Sequence, residues 1–358
     1  MPMDFRKLIE SARRLGASDI HLMADMPPCL RVHGDIRVTQ SPALSADDLR
    51  EMTASLTNAA QRQKLEEDWE LCISMMVEDQ GRVRVTFYMR TGVPELAIRL
   101  CARDIGSRES LRLPESIEEI CRRPSGLVLI CGPTGSGKTT TMNYMINIIN
   151  SERRAKIITI EDPIEYVHRH KRSIVVQQEL LSDVKSFSQA LRHALRQNPD
   201  VLAIGEMRDL DTMYTAIQAA ETGHLVITTL HTPGAAESIL RIVNVFPAGQ
   251  QEEIRFALGS SIEAVFAQRL LPCASGKDRV LACEVMLGTP GVKNIIREGQ
   301  IQKLHTEMQM GRKLGMQSHD SVLLDLYREG MIAYDCCLTH ARDTKTVRDR
   351  LHPEGNSA

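Results

Sequence analysis

The chain has 358 residues, 42% of them hydrophobic and 25% charged, with a net charge of −2. This is the make-up of an ordinary globular protein with room for two domains. Near-neutral charge and 4% aromatics speak against a nucleic-acid module, which needs basic and stacking side chains. Apolar runs stop at about five residues, far short of a spanning helix, and nine scattered cysteines without a C-x-x-C pair point to reduced thiols rather than a zinc site.

The opening stretch MPMDFRKLIESARRLG is amphipathic and reads as a helix that caps a domain, not as a secretion signal. A membrane-surface role would need a stronger basic face. Residues 18–38 read as two strands around Pro27 and Pro28. LSADDLREMTASL and NAAQRQKLEEDWE read as helices behind Ser45 and Asn58 caps. ISMMVE, GRVRVTFYMR and ELAIRL read as strands, so residues 1–102 form a small N-terminal α+β domain. ARDIGSRESLRLP is polar and turn-rich and gives a linker over 103–115. From 116 to 290 the apolar strands LVLIC, IITI, VLAIG and LVITTL alternate with helical segments, the pattern of a buried parallel sheet in an α/β domain. Residues 291–358 read as a helical C-terminal region, with a Ser cap and a Gly stop around SHDSVLLDLYREG.

Gly132, Pro133, Thr134, Gly135, Ser136, Gly137, Lys138, Thr139 and Thr140 follow the strand LVLIC and open a helix. The spacing G-x-x-x-x-G-K-[ST] in that context is a phosphate-binding loop. Its backbone N–H groups and the helix N-terminus suit phosphates. Lys138 would reach the β/γ-phosphates and the Thr139 hydroxyl would hold Mg2+, which makes ATP with Mg2+ the expected cofactor. Met142, Met145, Ile146 and Ile149 recur at helical spacing and read as packing residues.

Ligands of an open parallel sheet sit beyond the carboxyl ends of its strands. IITI runs into Glu161 and Asp162, VLAIG into Glu206 and LVITTL into His231. Glu206 is the candidate water-activating base, with a place in the Mg2+ shell or a pairing with Arg208 as the other readings. Glu161 and Asp162 would position water or Mg2+, or cap the turn before Pro163. His231 either senses the γ-phosphate or is structural. His224 lies at the other end of its strand, where a structural or interface role fits better. In GRVRVTFY Val83, Val85 and Phe87 alternate with Arg82, Arg84 and Thr86. The arginines are either a solvated face or, with Arg99, fingers for the site of another subunit, since the phosphate-loop segment supplies none of its own.

Taken together, GPTGSGKTTT, IEDPIEY, DVLAIGEMRD and TGHLVITTLHT resemble the Walker A loop, Asp box, Walker B segment and His box of the type II/IV secretion ATPase superfamily, and most closely of its type IV pilus retraction members. ASDIHLMADMPPCLRVHGDIR and GTPGVKNIIREGQIQKLHTEMQMGRKLGMQSHD resemble segments near the ends of those proteins. The resemblance implies an α/β, RecA-like P-loop ATPase core with a smaller PAS-like N-terminal domain and a helical C-terminal region. It implies a homohexameric motor of pilus retraction and twitching motility, cytoplasmic and peripheral at the inner membrane. Its partners would be the inner-membrane platform protein and a paralogous retraction ATPase. Lys138 and Thr139 would take the Walker A roles, Glu161 the Asp-box role, Glu206 that of the catalytic glutamate and His231 that of the principal His-box residue, while Arg82, Arg84 and Arg99 would reach across the subunit interface. Thr86 departs from the usual Asn, and ESILRIVN from a more acidic segment, which bears on interface contacts and on whether this is a principal motor or a paralogue. The other readings are a pilus assembly or type II secretion ATPase, against which the lack of a four-cysteine insertion and of room for an extra N-terminal domain count, a nucleic-acid translocase, and a non-catalytic nucleotide-binding regulator.

Overall fold

The structure is a computed structural model that describes residues 4–32, 34–101, 104–276 and 278–351. Its chain divides into two units, one comprising Met1–Asp104 with Pro163–Val167, the other Ile105–Asp162 with His168–Ala358. Of the expected linker 103–115, Arg103 lies outside the described residues, as does Ala102.

The first unit runs α1 (Phe5–Arg14), β1 (Ala17–Leu22), β2 (Cys29–Val32), β3 (Asp35–Val38), α2 (Ala46–Leu56), α3 (Ala59–Asp68), β4 (Glu70–Val77), β5 (Gly81–Arg90) and β6 (Val93–Leu100). The six strands form one sheet in the order β3-β2-β1-β6-β5-β4, antiparallel throughout. Where two strands were expected over residues 18–38 there are three, because β2 pairs back on β3 with Val32 opposite Asp35. All four residues of β3 are exposed, so that edge strand leaves no alternating apolar signal to read. Both helix starts behave as their sequences dictate. Ser45 with Asp48, and Asn58 with Gln61, form reciprocal capping boxes, each satisfying backbone N–H groups that the first helical turn leaves open. Ile9 from α1, Ile20, Leu22, Val83, Val85, Phe87, Leu96 and Ile98 are fully buried on one face of the sheet. Each such side chain contributes about 1.5–3 kcal/mol by leaving water.

The second unit runs α4 (Ser116–Cys121), β7 (Gly126–Cys131), α5 (Lys138–Glu152), β8 (Lys156–Glu161), β9 (Ile174–Glu179), α6 (Phe187–Ala194), β10 (Val201–Ile204), α7 (Leu210–Glu221), β11 (Leu225–Leu230), α8 (Ala235–Val245), α9 (Gln251–Ser261), β12 (Ile262–Pro272), β13 (Arg279–Leu287), α10 (Pro290–Arg297), α11 (Leu304–Met310), α12 (His319–Arg328), α13 (Tyr334–His340) and α14 (Thr344–Leu351). Its sheet has the order β13-β12-β7-β11-β10-β8-β9. Neighbours are parallel except β12 with β13. The four strands read from the sequence are therefore four adjacent inner strands of a sheet that has seven among the described residues. β7 and β11 are buried at every position because apolar residues cover both faces of the sheet. Met145, Ile146 and Ile149 of α5 are completely buried, as their helical spacing requires. Among the described residues no helix is long and apolar enough to cross a membrane.

Candidate nucleotide site

Four adjacent strands, in the order β7-β11-β10-β8, end at one edge of the sheet. In a parallel array such ends stand about 4.8 Å apart per strand, so the residues after them converge. The loop Gly132–Gly137 follows β7, His231 follows β11, Glu206 follows β10, and Glu161 is the last residue of β8.

The loop opens directly into α5. Gly132, Gly135 and Gly137 all have positive φ, at 144°, 76° and 90°. At Gly132 a Cβ would lie 2.2 Å from the carbonyl oxygen of Gln268 on β12 and 2.6 Å from Ser136 Oγ, so neighbouring strand and loop exclude any side chain there. Gly132→Ala is expected to cost roughly 1–3 kcal/mol in strain, seen as a lower unfolding temperature together with weaker nucleotide binding in titration. An unchanged protein would contradict this close approach. Lys138 is buried, and its Nζ donates to the carbonyl oxygens of Gly132 and Pro133 at 2.8 and 3.0 Å. Burial pushes its ammonium below the usual lysine range, opposed by the negative charge of Glu206. Ser136 is 2% exposed, and its Oγ has no hydrogen-bond partner among the described residues. A positive-φ cradle, a lysine at its floor and a buried hydroxyl without a protein partner are a donor set for phosphate oxygens.

Glu206 is partly buried and joins two flanking groups. Arg208 Nε donates to Glu206 Oε2 at 2.7 Å, and His231 Nε2 stands 3.4 Å from Glu206 Oε1. Glu161 is 1% exposed and accepts from Thr159 Oγ1 at 2.6 Å and Gln177 Nε2 at 3.0 Å. Asp162 is exposed. Asp209 is engaged as the N-cap of α7, accepting from Thr212 N at 2.8 Å. His224 precedes β11, at the end away from His231, and its Nδ1 lies 3.0 Å from the Ala219 carbonyl oxygen.

The residues from 2 to 320 match the family model for type II/IV secretion system proteins. The chain belongs to this family. A Neisseria gonorrhoeae protein named twitching motility protein is 42% identical over 320 residues, 89% of this chain and 86% of that one. The Pseudomonas aeruginosa protein named type IV pilus retraction ATPase PilT is 40% identical over 331 residues, covering 92% and 96%. The crystal structure of the pilus retraction motor PilT with bound ADP is similar with a TM-score of 0.90 at 43% identity, over 96% of this chain and 98% of that one.

In this secretion-system family member the three candidate arginines belong to the first unit. Val83, Val85 and Phe87 of β5 are wholly buried, while Arg82, Arg84 and Thr86 on the alternate face are half-buried. Arg84 and Arg99 are direct cross-strand partners. Arg99 Nε pairs with Asp19 Oδ1 at 2.9 Å, and Arg84 Nε donates to Cys72 Sγ at 3.0 Å. Glu165, in the segment that joins this unit, feels both guanidinium charges. Burial raises its pKa and the charges of Arg99 and Arg84 oppose that rise. Sequence reasoning passed over Asn143, His168, Gln177 and Gln268. Gln268 Nε2 donates to Thr141 Oγ1 at 2.7 Å and so fastens α5 to β12. A buried amide carries no motif, and only its partners reveal its place.

Proposed function

We propose that this chain is an ATP-hydrolysing motor that powers type IV pilus retraction. The observation that carries the reading is the likeness, along nearly the whole chain, to a pilus retraction motor whose crystal structure holds ADP. The site's own residues supply the chemistry such a motor needs. The loop amides and Lys138 bind and orient the phosphates. The Thr139 hydroxyl would hold Mg2+, and Glu161 would act through water bound to that ion. That set suits an ion that keeps several waters and leans on nucleotide oxygens rather than on a cage of protein ligands. When bound, Mg2+ neutralises charge on the β- and γ-phosphates. Glu206 accepts the proton of the attacking water, and His231, beside Glu206, orients to the γ-phosphate edge. Positive charge for the leaving oxygens comes from Arg82, Arg84 or Arg99 of a neighbouring subunit, which makes a homohexameric ring the working form. The motor acts in the cytoplasm, peripheral to the inner membrane, on the platform protein of the pilus machine and beside a paralogous retraction ATPase.

Deleting the gene tests the cellular role. The expected result is excess surface pili that no longer retract, and absent pili would point instead to an assembly motor. The shared site has its own test. Replacing Arg84 and Arg99 together by Ala is expected to lower ring-dependent ATPase activity by about 10³-fold or more, the scale of a lost arginine finger, while nucleotide binding by dissociated subunits persists. Full activity at dilutions where rings have come apart would rule out the contribution in trans.

A further inference from the structure

The geometry points to His168 as a positioning residue that locks Glu161 to the first turn of the phosphate-binding helix, a role that rests on the ATPase reading above. The polar groups form a continuous chain. Glu161 Oε1 accepts from Gln177 Nε2 at 3.0 Å, and Gln177 Oε1 accepts from the His168 backbone N at 2.8 Å. His168 Nε2 lies 2.7 Å from Asn143 Oδ1, and Asn143 Nδ2 donates to the Thr139 carbonyl oxygen at 2.9 Å. Glu161 and Asn143 are 1% and 0% exposed, and His168 is 9% exposed.

The orientations follow from donor and acceptor inventory. Asn143 can give only its amide N–H to the Thr139 carbonyl, so its oxygen faces the imidazole. His168 must then carry a proton on Nε2. Burial depresses the His168 pKa to about 4, with Lys171 adding to the effect, so near neutral pH the ring is an uncharged Nε2–H donor. The position of His168 in the chain adds a second reason. After Asp162 the chain leaves the second unit for Pro163–Val167 and returns at His168. The network thus pins the chain at Glu161, where it departs, and at His168, where it comes back. Glu161 and Thr139, the two residues assigned to the metal's surroundings, are thereby joined by one hydrogen-bonded chain in which Glu161, His168 and Asn143 are buried. Such outer partners hold ligating groups in place, and their loss costs about 10–100-fold in metal affinity or activity.

The test compares His168→Leu with His168→Gln, whose side-chain amide can return a donor towards Asn143. Binding of a non-hydrolysable ATP analogue is measured with Mg2+ and with a chelator, alongside turnover. For His168→Leu the expected result is unchanged binding in chelator, a Mg2+-dependent gain in affinity reduced about tenfold or more, and turnover lowered to a similar extent. His168→Gln is expected to recover most of both. Combining His168→Leu with Glu161→Gln is expected to be no worse than Glu161→Gln alone, because both break one network. Wild-type Mg2+ dependence in a folded His168→Leu, additive losses in the double variant, or equal losses in Leu and Gln variants that follow lowered thermal stability alone would each overturn the assignment. If His168→Leu does not fold, Gln177→Leu cuts the same chain at a half-buried position and is held to the same outcomes. Absence of Mg2+–nucleotide binding in the unaltered protein would instead sink the ATPase reading itself.

Discussion

Glu206→Gln is expected to cut ATP turnover by about 10²–10⁴-fold, the usual contribution of a positioned general base, while ATP binding persists. The substitution keeps the shape of the side chain and removes its capacity to take a proton. The structure supplies two reasons for a carboxylate at this place. Glu206 follows the buried strand β10, and its two oxygens are shared between Arg208 at 2.7 Å and His231 at 3.4 Å. An amide oxygen can still accept from Arg208, so the local fold should survive. Binding is read by titration of a labelled nucleotide and turnover by phosphate release on the same preparation. A variant that turns over like the unaltered protein would remove Glu206 from the role of base and leave it as the partner of Arg208. Loss of binding along with turnover would show that its charge supports the neighbouring Lys138, whose ammonium it favours.

Arg342→Ala should produce the largest loss of stability. Arg342 Nη1 pairs with Glu284 Oε2 at 3.1 Å, and Nη2 stands 3.6 Å from Glu237 Oε2. Glu284 is 1% exposed and its other oxygen accepts from Ala235 N at 2.7 Å, at the start of α8. The Arg342 backbone N donates to Asp320 Oδ1 at 2.8 Å. Truncating the guanidinium leaves a buried carboxylate without its counter-charge, which costs about 3–5 kcal/mol. For a domain of this size that is a fall in unfolding temperature on the order of 10 °C. The companion change Glu284→Met, made in the Arg342→Met background, should recover part of the loss, since a buried ion pair is often replaceable by apolar side chains of similar volume. Equal stability of Arg342→Ala and the unaltered protein in thermal or denaturant unfolding would show that Glu284 is satisfied without Arg342. Because Ala235 lies just beyond the turn that carries His231, the same variant should also disturb the strand-end site, and a nucleotide titration on the folded fraction measures that effect.

How much of this protein is written locally in its sequence can be judged residue by residue. The glycine loop before α5 is legible because its requirements are local: positive φ at fixed glycines, a lysine one residue on, and a helix that must start there. The strand-end carboxylates are legible because a charged residue directly after a continuous apolar run has nowhere to go but the sheet edge. Alternation along GRVRVTFY foretells which side chains of β5 are buried, since the period of a strand is two. Ser45 and Asn58 announce their helices through side chains that reach only three residues ahead.

The remaining features depend on partners distant in the chain. β9 and β13 lie at the edges of their sheet, and β12, though an inner strand, was not marked as one by its sequence. Strand order itself is set by pairing between segments that no local pattern identifies. His168, Asn143 and Gln177 look in sequence like ordinary polar residues, and Arg342 like one of many surface charges. The sequence by itself therefore determined where a positive-φ glycine loop would open a helix and which acids would sit at the strand ends, because backbone conformation and side-chain period are properties of neighbours in the chain. Only the tertiary structure decided that Glu161 is tied through Gln177 and His168 to Asn143, and that Glu284 depends on Arg342. A buried polar group must find a partner wherever the fold provides one, and that choice is made in space.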